Sequence, residues 1–298
     1  MQSDIKLKYM QEIKLSVILG TYNRKEYLKS AIQSIRTELN KGVFEYEIIV
    51  IDGGSNDRTI NWLSKQKDII AIIQHNRGTW RGKKIERKGW GYFMNLGFKC
   101  AKGKYLCMLS DDCLVIPGAI NKGIYYFEEQ LRSGKNIGAM AFYFRDWPRS
   151  EKYMVNVEFG KLYVNHGLFL KEALEKVGYI DEEYEFYNAD IDLCLKLDQA
   201  GFATIDSEKS FIEHFTHTSK KIRKSNNSKR TEDNQRILKK WSGIYYNHND
   251  RINDIRYSKE MQFTDPEDTY KKFKSFNLWF SSGLLKIYQR YLKDWIKK

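Results

Sequence analysis

Residues 13–54 read IKLSVILGTYNRKEYLKSAIQSIRTELNKGVFEYEIIVIDGG, and this stretch decides the fold. IKLSVIL at 13–19 is a short apolar run stopped by Gly20, the pattern of a strand buried on both faces of a parallel sheet. From about Lys25 to Leu39 the period changes to that of a helix, with Leu28, Ala31, Ile32 and Ile35 on one face. YEIIVI at 46–51 is a second apolar run, broken by Asp52-Gly53-Gly54. Strand, helix and strand in succession open an α/β chain.

The alternation continues outward from there. Ser55 is expected to cap a helix over about 57–66, although Asp57 in SNDRT is as good a candidate for a capping residue. IIAII at 69–73 predicts a third strand, and a helix over about 91–101 leads into YLCML at 105–109. The sum is a parallel α/β sheet with helices on both faces, in which ligands gather at the carboxyl ends of the strands. After Pro117 the pattern is less regular. It predicts helices around 118–132, 170–177 and 189–200, strands at 137–144 and 153–158, and a last strand in FIEHF at 211–215. From Ser219 the stretch SKKIRKSNNSKR reads as a polar, basic linker. The expected division is therefore 1–218 and 219–298.

The 298 residues are 42% hydrophobic and 14% aromatic, with 3 Pro and 20 Gly, which excludes a disordered, collagenous or low-complexity chain. No apolar run approaches the roughly 18 residues of a spanning helix. The N-terminal MQSDIKLKYM also lacks an apolar signal core, so a cytoplasmic protein is expected. The net charge of +13 is uneven. Residues 220–298 hold 20 Lys+Arg and 9 Asp+Glu, a net of +11, leaving +2 for the first 219 residues. One loop within the body, RGKKIERK at 81–88, is also basic. Cys100, Cys107, Cys113 and Cys194 show no CxxC spacing, so buried reduced thiols are expected rather than a zinc site or a disulfide framework.

Three acidic clusters come directly after apolar runs: Asp52 in IVIDGGSNDRT, Asp111 and Asp112 in YLCMLSDDC, and Asp190 and Asp192 in YNADIDLCLKL. Carboxylates just beyond buried strands suit a divalent cation that in turn holds phosphate. The adjacent pair Asp111–Asp112 carries this reading furthest, because neighbouring like charges repel unless a cation offsets them.

SVILGTYNRKEYLKSAIQSI, EIIVIDGGSNDRT, NRG, GYFMNLGFKCAKGKYLCMLSDDCLVIPGAI, GLFLKEALEKVGYIDEEYEFYNADIDLCLKLDQAGF and IEHFTHTS succeed one another in an order that resembles inverting GT-A fold glycosyltransferases, over about residues 13–218. The resemblance implies a Rossmann-like, mostly parallel sheet with helices on both faces, and after it a basic helical extension. It implies that Gly20, Thr21, Tyr22 and Asp52 hold the base and ribose of a sugar nucleotide. Arg24 and the basic loop, including Arg77 and Lys88, would then meet its diphosphate. Asp112 is implied as a direct ligand of Mn²⁺ or Mg²⁺, with Asp111 touching the ribose or supporting that ligand. His214 would complete the metal or diphosphate site, with His217 competing for the role. Asp190 is implied as the base that deprotonates the acceptor hydroxyl, and Asp192 as a residue that caps or orients its helix. The chain departs from the pattern at Gly20, where many relatives have Pro. It also has Ser110 at the first acidic place of the DxD motif, and Ala189 where a Glu usually precedes the base. Asn165 and His166 in YVNHGLFL are candidates for sugar or acceptor contacts and equally for turn residues.

The implied partners are a UDP- or dTDP-linked sugar and a glycan or lipid-linked acceptor, in the building of a cell-surface polysaccharide. At 276–298, Leu284, Tyr288, Tyr291 and Trp295 share one helical arc opposite Lys286, Arg290, Lys293 and Lys297. Such a helix suits an anionic membrane surface at the inner face of the plasma membrane, or packing on the body or on a second subunit. Two other readings compete. A sugar-phosphate nucleotidyltransferase would open with a Gly-rich loop, which LGTYNRKEY lacks. A non-catalytic membrane- or nucleic-acid-binding protein is the other, but positive charge confined to the tail argues against nucleic acid.

Overall fold

The computed structural model describes residues 13–40, 44–146, 150, 152–215, 229–246 and 253–259. In chain order the elements are β1 (Leu15–Thr21), α1 (Lys25–Leu39), β2 (Tyr46–Asp52), α2 (Thr59–Leu63), β3 (Ile69–Ile73), β4 (Thr79–Trp80), β5 (Lys83–Lys84), α3 (Trp90–Cys100), β6 (Tyr105–Ser110), β7 (Cys113–Val115), α4 (Ala119–Arg132), β8 (Ile137–Asp146), β9 (Met154–Glu158), β10 (Lys161–Leu162), β11 (Gly167–Leu170), α5 (Lys171–Lys176), α6 (Ala189–Gln199), β12 (Ala203–His214), α7 (Arg230–Trp241) and β13 (Asn253–Tyr257). Residues 276–298, read as an amphipathic helix, and His217 lie outside the described residues.

The strands β3-β2-β1-β6 lie side by side and run parallel. The chain lays down β2 and β3 on one side of β1 and then crosses to place β6 on the other. The carboxyl ends of β1 and β6 thus flank the point where the strand order reverses, the place where α/β sheets open a crevice. Beyond β6 the sheet continues through β11 and β8 to β9 and β10 with antiparallel pairing. Strand β12 runs parallel to β8 and antiparallel to β7.

Successive residues of the buried strands point to opposite faces, and each face has its own core. Leu15, Val17 and Leu19 pack with Leu28, Ile32 and Ile35 of α1 and with Phe127 of α4. Ile18, Ile49 and Ile51 pack on the other face with Met94 and Phe98 of α3 and with Leu193 of α6. At Gly97 a Cβ would lie 2.6 Å from Ile18 Cγ2 and 2.7 Å from Ile51 Cδ1, so glycine lets α3 settle directly onto β1 and β2.

The structure differs from the sequence reading at several points. Ser55 does not cap α2: its hydroxyl accepts the Asn23 N–H and its own N–H donates to Asp52. Arg58 is the residue at the N-cap of α2, without a side-chain cap, and Asp57 ahead of it accepts from the Thr59 N–H and hydroxyl and from the Lys25 N–H at the start of α1. The basic loop forms the short hairpin β4–β5, exposed throughout. The strand expected at 211–215 extends back to Ala203, with an irregularity between Ser207 and Phe211 that hid its period. Cys100 ends α3 and is exposed, whereas Cys107, Cys113 and Cys194 are buried. The boundary expected at 218/219 lies among undescribed residues. Beyond it, the described elements sit on the body: Ile237 and Trp241 of α7 join the α3–α6 core, and β13 pairs with β9.

Candidate active site

A cavity of about 750 Å³ opens at the carboxyl ends of β1 and β6. Gly20 and Thr21 close β1, and Gly20 stands opposite Ser110 in the register of β1 with β6. The Thr21 hydroxyl donates to Asp111 Oδ2 at 2.7 Å, tying the two strand ends across the reversal point. Arg24, just ahead of α1, donates through Nη1 to Asp111 Oδ1 at 2.7 Å and to Asp112 Oδ2 at 2.9 Å. One guanidinium thus offsets the like charges of the acidic pair. Burial and the charge of Asp112 push Asp111 up to about 6, against the pull of Arg24. Burial also disfavours charge on Asp112, but Arg24 and His214 hold it well below the usual carboxylate range.

His214, at the end of β12, sits with Nε2 3.6 Å from Asp112 Oδ1 and Nδ1 2.8 Å from Asp146 Oδ1. Burial opposes its charge, yet the carboxylates on either side raise it to about 9. The Phe215 N–H donates to the Asp112 carbonyl at 2.8 Å and keeps the end of β12 beside the acidic pair. Asp146 was missed in the sequence although it ends the apolar run AFYFRD, the same signal that marked the other aspartates.

On the far wall, Asp190 is the second residue of α6, behind Asn188 in a left-handed conformation with φ 67°. Its Oδ2 accepts from Asn165 Nδ2 at 3.0 Å, and Asn165 Oδ1 accepts from Asn156. Its Oδ1 accepts the Ile191 N–H at 3.0 Å. Burial pushes the carboxyl up to about 6. Asp190 therefore lines the same cavity as Thr21, Asp111 and Asp112, carried there by α6 and not by a strand end.

The remaining expected residues divide. Tyr22 lines the cavity, with the Arg77 guanidinium 4.8 Å from its ring centroid. Lys88 lines it too, but its ammonium donates to Glu86. Asn76 clasps the Lys88 backbone at both its N–H and its carbonyl, so the root of the basic loop is fixed against the NRG turn. Arg87, not singled out in the sequence, lies on the cavity wall. Asp52 is 0% exposed. Its Oδ1 accepts the N–H groups of Gly54 and Ser55, while Oδ2 is buried without a hydrogen bond. Asp52 thus stands behind the Gly53 turn, and Gly53 itself reaches the cavity.

A second group of residues was legible only in three dimensions. Asp233 of α7 accepts the N–H groups of Glu185, Phe186 and Tyr187 at 2.9, 3.0 and 2.8 Å. Asn234 accepts from Asn188 Nδ2. Asp192 accepts from Tyr184, Lys240 and Trp241, joining α6 to α7. The loop that delivers Asp190 is therefore held from behind by the helix after the expected linker. Gly89 at the start of α3 presses on the same loop, since a Cβ there would lie 2.3 Å from the Tyr184 carbonyl oxygen.

The family model described as glycosyl transferase family 2 matches residues 16–172, just over half of the chain. The chain belongs to glycosyl transferase family 2. The match ends before Asp190 and His214, so it spans the part of the cavity wall built from β1 to β11. Among family 2 relatives, an uncharacterized glycosyltransferase of Haemophilus influenzae is 32% identical over 118 residues, 39% of this chain and 33% of the relative. The poly(ribitol-phosphate) beta-N-acetylglucosaminyltransferase TarP of Staphylococcus aureus is 30% identical over 127 residues, 42% of this chain and 36% of that protein. The matches thus span about a third of these relatives' length. Among solved structures, the mannosyltransferase PcManGT of Pyrobaculum calidifontis in complex with GDP-Man and Mn²⁺ aligns with a TM-score of 0.53 at 14% identity, covering 77% of this chain and 65% of that one. S. aureus TarS 1-349 in complex with UDP-GlcNAc aligns with a TM-score of 0.51 at 16% identity, covering 76% and 67%. The fold is the GT-A fold of these glycosyltransferases. Among the described residues, no helix is long and apolar enough to cross a membrane.

Proposed function

We propose that this chain moves a sugar from a nucleotide-sugar donor to a hydroxyl of a glycan or lipid-linked acceptor, inverting the anomeric centre. The observation that carries the reading is that Asp190 lines the same cavity as the Thr21–Arg24–Asp111–Asp112 cluster at the strand reversal. Inversion needs a base on the side of the sugar opposite the leaving nucleotide and positive charge on the nucleotide side. The cavity has both poles. The donors held by the two solved neighbours, GDP-Man and UDP-GlcNAc, support a nucleotide sugar as the donor class. Uridine- and thymidine-linked donors fit the proposal equally.

In this reading Gly20, Thr21 and Tyr22 cradle the nucleoside, and Asp52 braces the Gly53–Ser55 turn beneath it. Arg24, Arg77 and Lys88 face the diphosphate. The donors for a divalent ion are Asp112 Oδ1 and His214 Nε2, which at 3.6 Å need close by under 1 Å to share an ion with bonds of about 2.1 Å. Asp146 on the other ring nitrogen fixes the His214 tautomer, the usual support of a metal-bound imidazole. Bound there, Mn²⁺ or Mg²⁺ would supply the charge that the departing diphosphate needs. On the other side Asp190 removes the acceptor proton, with Asn165 holding its carboxylate in place. Ser110, at the first acidic place of the DxD motif, contributes no charge, so Asp111 and Asp112, both paired with Arg24, are the carboxylates the motif offers.

A thermal-shift screen of sugar nucleotides with and without Mn²⁺ tests this class. A donor and cation that raise Tm together well beyond either alone are the expected result. Stabilisation by a nucleoside triphosphate with a sugar phosphate, and by no sugar nucleotide, would point to nucleotidyl transfer instead. The pH dependence comes from Asp190. A base must be ionised, so kcat/KM should fall about tenfold per unit as pH drops below about 6, where Asp190 takes up its proton, and more steeply if Asp111 must be ionised too. A profile flat down to pH 4.5 would remove both groups from the reaction.

A further inference from the structure

Beside Asp112 lies a group of side chains of which the transfer reaction uses only His214. Cys113 begins β7 and stands directly opposite His214 in the antiparallel pairing of β7 with β12, so the two side chains share one face. His166, just before β11, completes a triangle with them. Cys113 Sγ lies 3.8 and 3.7 Å from the two ring nitrogens of His166, and the His166 and His214 rings are 5.1 Å apart between centroids. One donor atom from each of the three falls within 4.8 Å of the others. Phe144 packs its edge against both imidazoles and walls the group on one side. Cys113 and His166 are buried, while His214 opens to the cavity.

We propose that Cys113, His166 and His214 form a three-ligand site for a thiophilic divalent ion such as Zn²⁺, its fourth position open to the cavity. Tetrahedral zinc with bonds of about 2.3 Å to sulfur and 2.0 Å to nitrogen holds S and N roughly 3.5 Å apart, close to the spacing present. The donor set of one sulfur and two imidazoles is that of a zinc-class ion, whereas hard Mn²⁺ and Mg²⁺ favour oxygen. The supports of bound imidazole are also in place, since Asp146 engages His214 Nδ1 and leaves Nε2 for an ion. The spacing of these residues in sequence, 113, 166 and 214, carries no zinc signature, which is why the site is visible only in the fold.

The consequence for transfer rests on the function proposed above; the binding does not. Zinc held here withdraws His214 from the hard ion of the donor site, and the affinity order of divalent ions favours zinc over Mn²⁺ on such ligands. Zinc would then act as an inhibitor that Mn²⁺ displaces poorly.

Co²⁺ titrated into the full chain, without donor or acceptor, tests the site. One equivalent should give tetrahedral visible bands and a thiolate-to-cobalt charge-transfer band, both removed by stoichiometric Zn²⁺. Cys113→Ser should abolish the thiolate band and weaken Zn²⁺ binding at least about tenfold, while Cys100→Ser leaves both intact. Because Cys113 is buried and its variant can misfold, X-ray absorption on the zinc-loaded unaltered chain gives a second measure. It should show one sulfur at about 2.3 Å with nitrogen and oxygen at about 2.0 Å. An ion with no sulfur neighbour, or a thiolate band that survives in a folded Cys113→Ser chain, would overturn the proposal. Loss of transfer activity by itself would bear on the proposed function and leave the spectroscopic result standing.

Discussion

Asp190→Asn is expected to lower kcat by about 10²- to 10⁴-fold, the usual contribution of a positioned general base, while the Kd for the donor nucleotide stays within about twofold. Asparagine has nearly the same shape and can still accept from Asn165 through its oxygen, so the wall of the cavity survives. What it lacks is basicity. The stability control has a definite sign. Burial raises the folded-state pKa of Asp190 to about 6, so the folded chain binds this proton more tightly than the unfolded chain does. Ionisation therefore disfavours the folded state as pH rises through the window from about 4 to 6. At pH 8 the neutral Asn escapes that cost, and Tm should be unchanged or higher. Full transfer by the variant, or a loss of nucleotide binding in step with kcat, would take Asp190 out of the role.

The second large effect is expected from Asp233→Ala, far from any reacting atom. Asp233 is 1% exposed, and its carboxylate accepts three successive backbone N–H groups from 185–187. Hydrogen bonds to a charged group contribute about 1.5–3 kcal/mol each, and not additively, so a loss on the order of 3 kcal/mol is expected. For a chain of this size that corresponds to a fall in Tm of about 6–12 °C. The three freed N–H groups belong to the loop that ends in Asn188 and Asp190, so the base loses its frame as well. Misplacement of a catalytic group by about 1 Å can cost about 10²-fold, and kcat should fall by roughly 10- to 100-fold. Nucleotide affinity should hold, because the partners of Asp233 lie in 185–187 and not at the β1 end of the cavity. Asp233→Asn keeps one acceptor oxygen and should fall between the two. A variant with Tm within about a degree of the parent would show that α7 does not clamp this loop.

These two residues show what the sequence makes plain and what it hides. The parallel half of the sheet was legible because strands buried on both faces read as unbroken apolar runs, as IKLSVIL and YEIIVI do. The carboxylates at the end of β6 were legible for the same reason: an Asp directly after such a run stands out, and Asp111 and Asp112 do line the cavity, which Asp190 reaches instead from the first turn of α6. Asp233 sits in TEDNQR, where nothing distinguishes it from the solvated face of a polar helix, and only the return of α7 onto 181–192 gives it partners. Ser55 and Asp57 both offered themselves as caps of α2, but Ser55 is drawn to Asp52 and Asn23, and Asp57 ties the start of α1 to Thr59. Strand β12 begins ATIDSEKS, whose mixed polarity and irregular pairing with β8 conceal a strand twice as long as the apolar FIEHF suggests. Cys113, His166 and His214 come together because β7 pairs with β12 and β11 packs beside β8, a juxtaposition no local spacing encodes.

The arrangement of donor and base is tested most directly by a crystal structure of the Asp190→Asn chain grown with Mn²⁺ and a nucleotide sugar selected by thermal shift. The account requires the diphosphate beside Asp112 and His214, the nucleoside against Gly20–Tyr22, and the anomeric carbon turned toward residue 190 with room between them for an acceptor hydroxyl. A donor bound with its sugar directed away from residue 190, or seated outside this cavity, would contradict it.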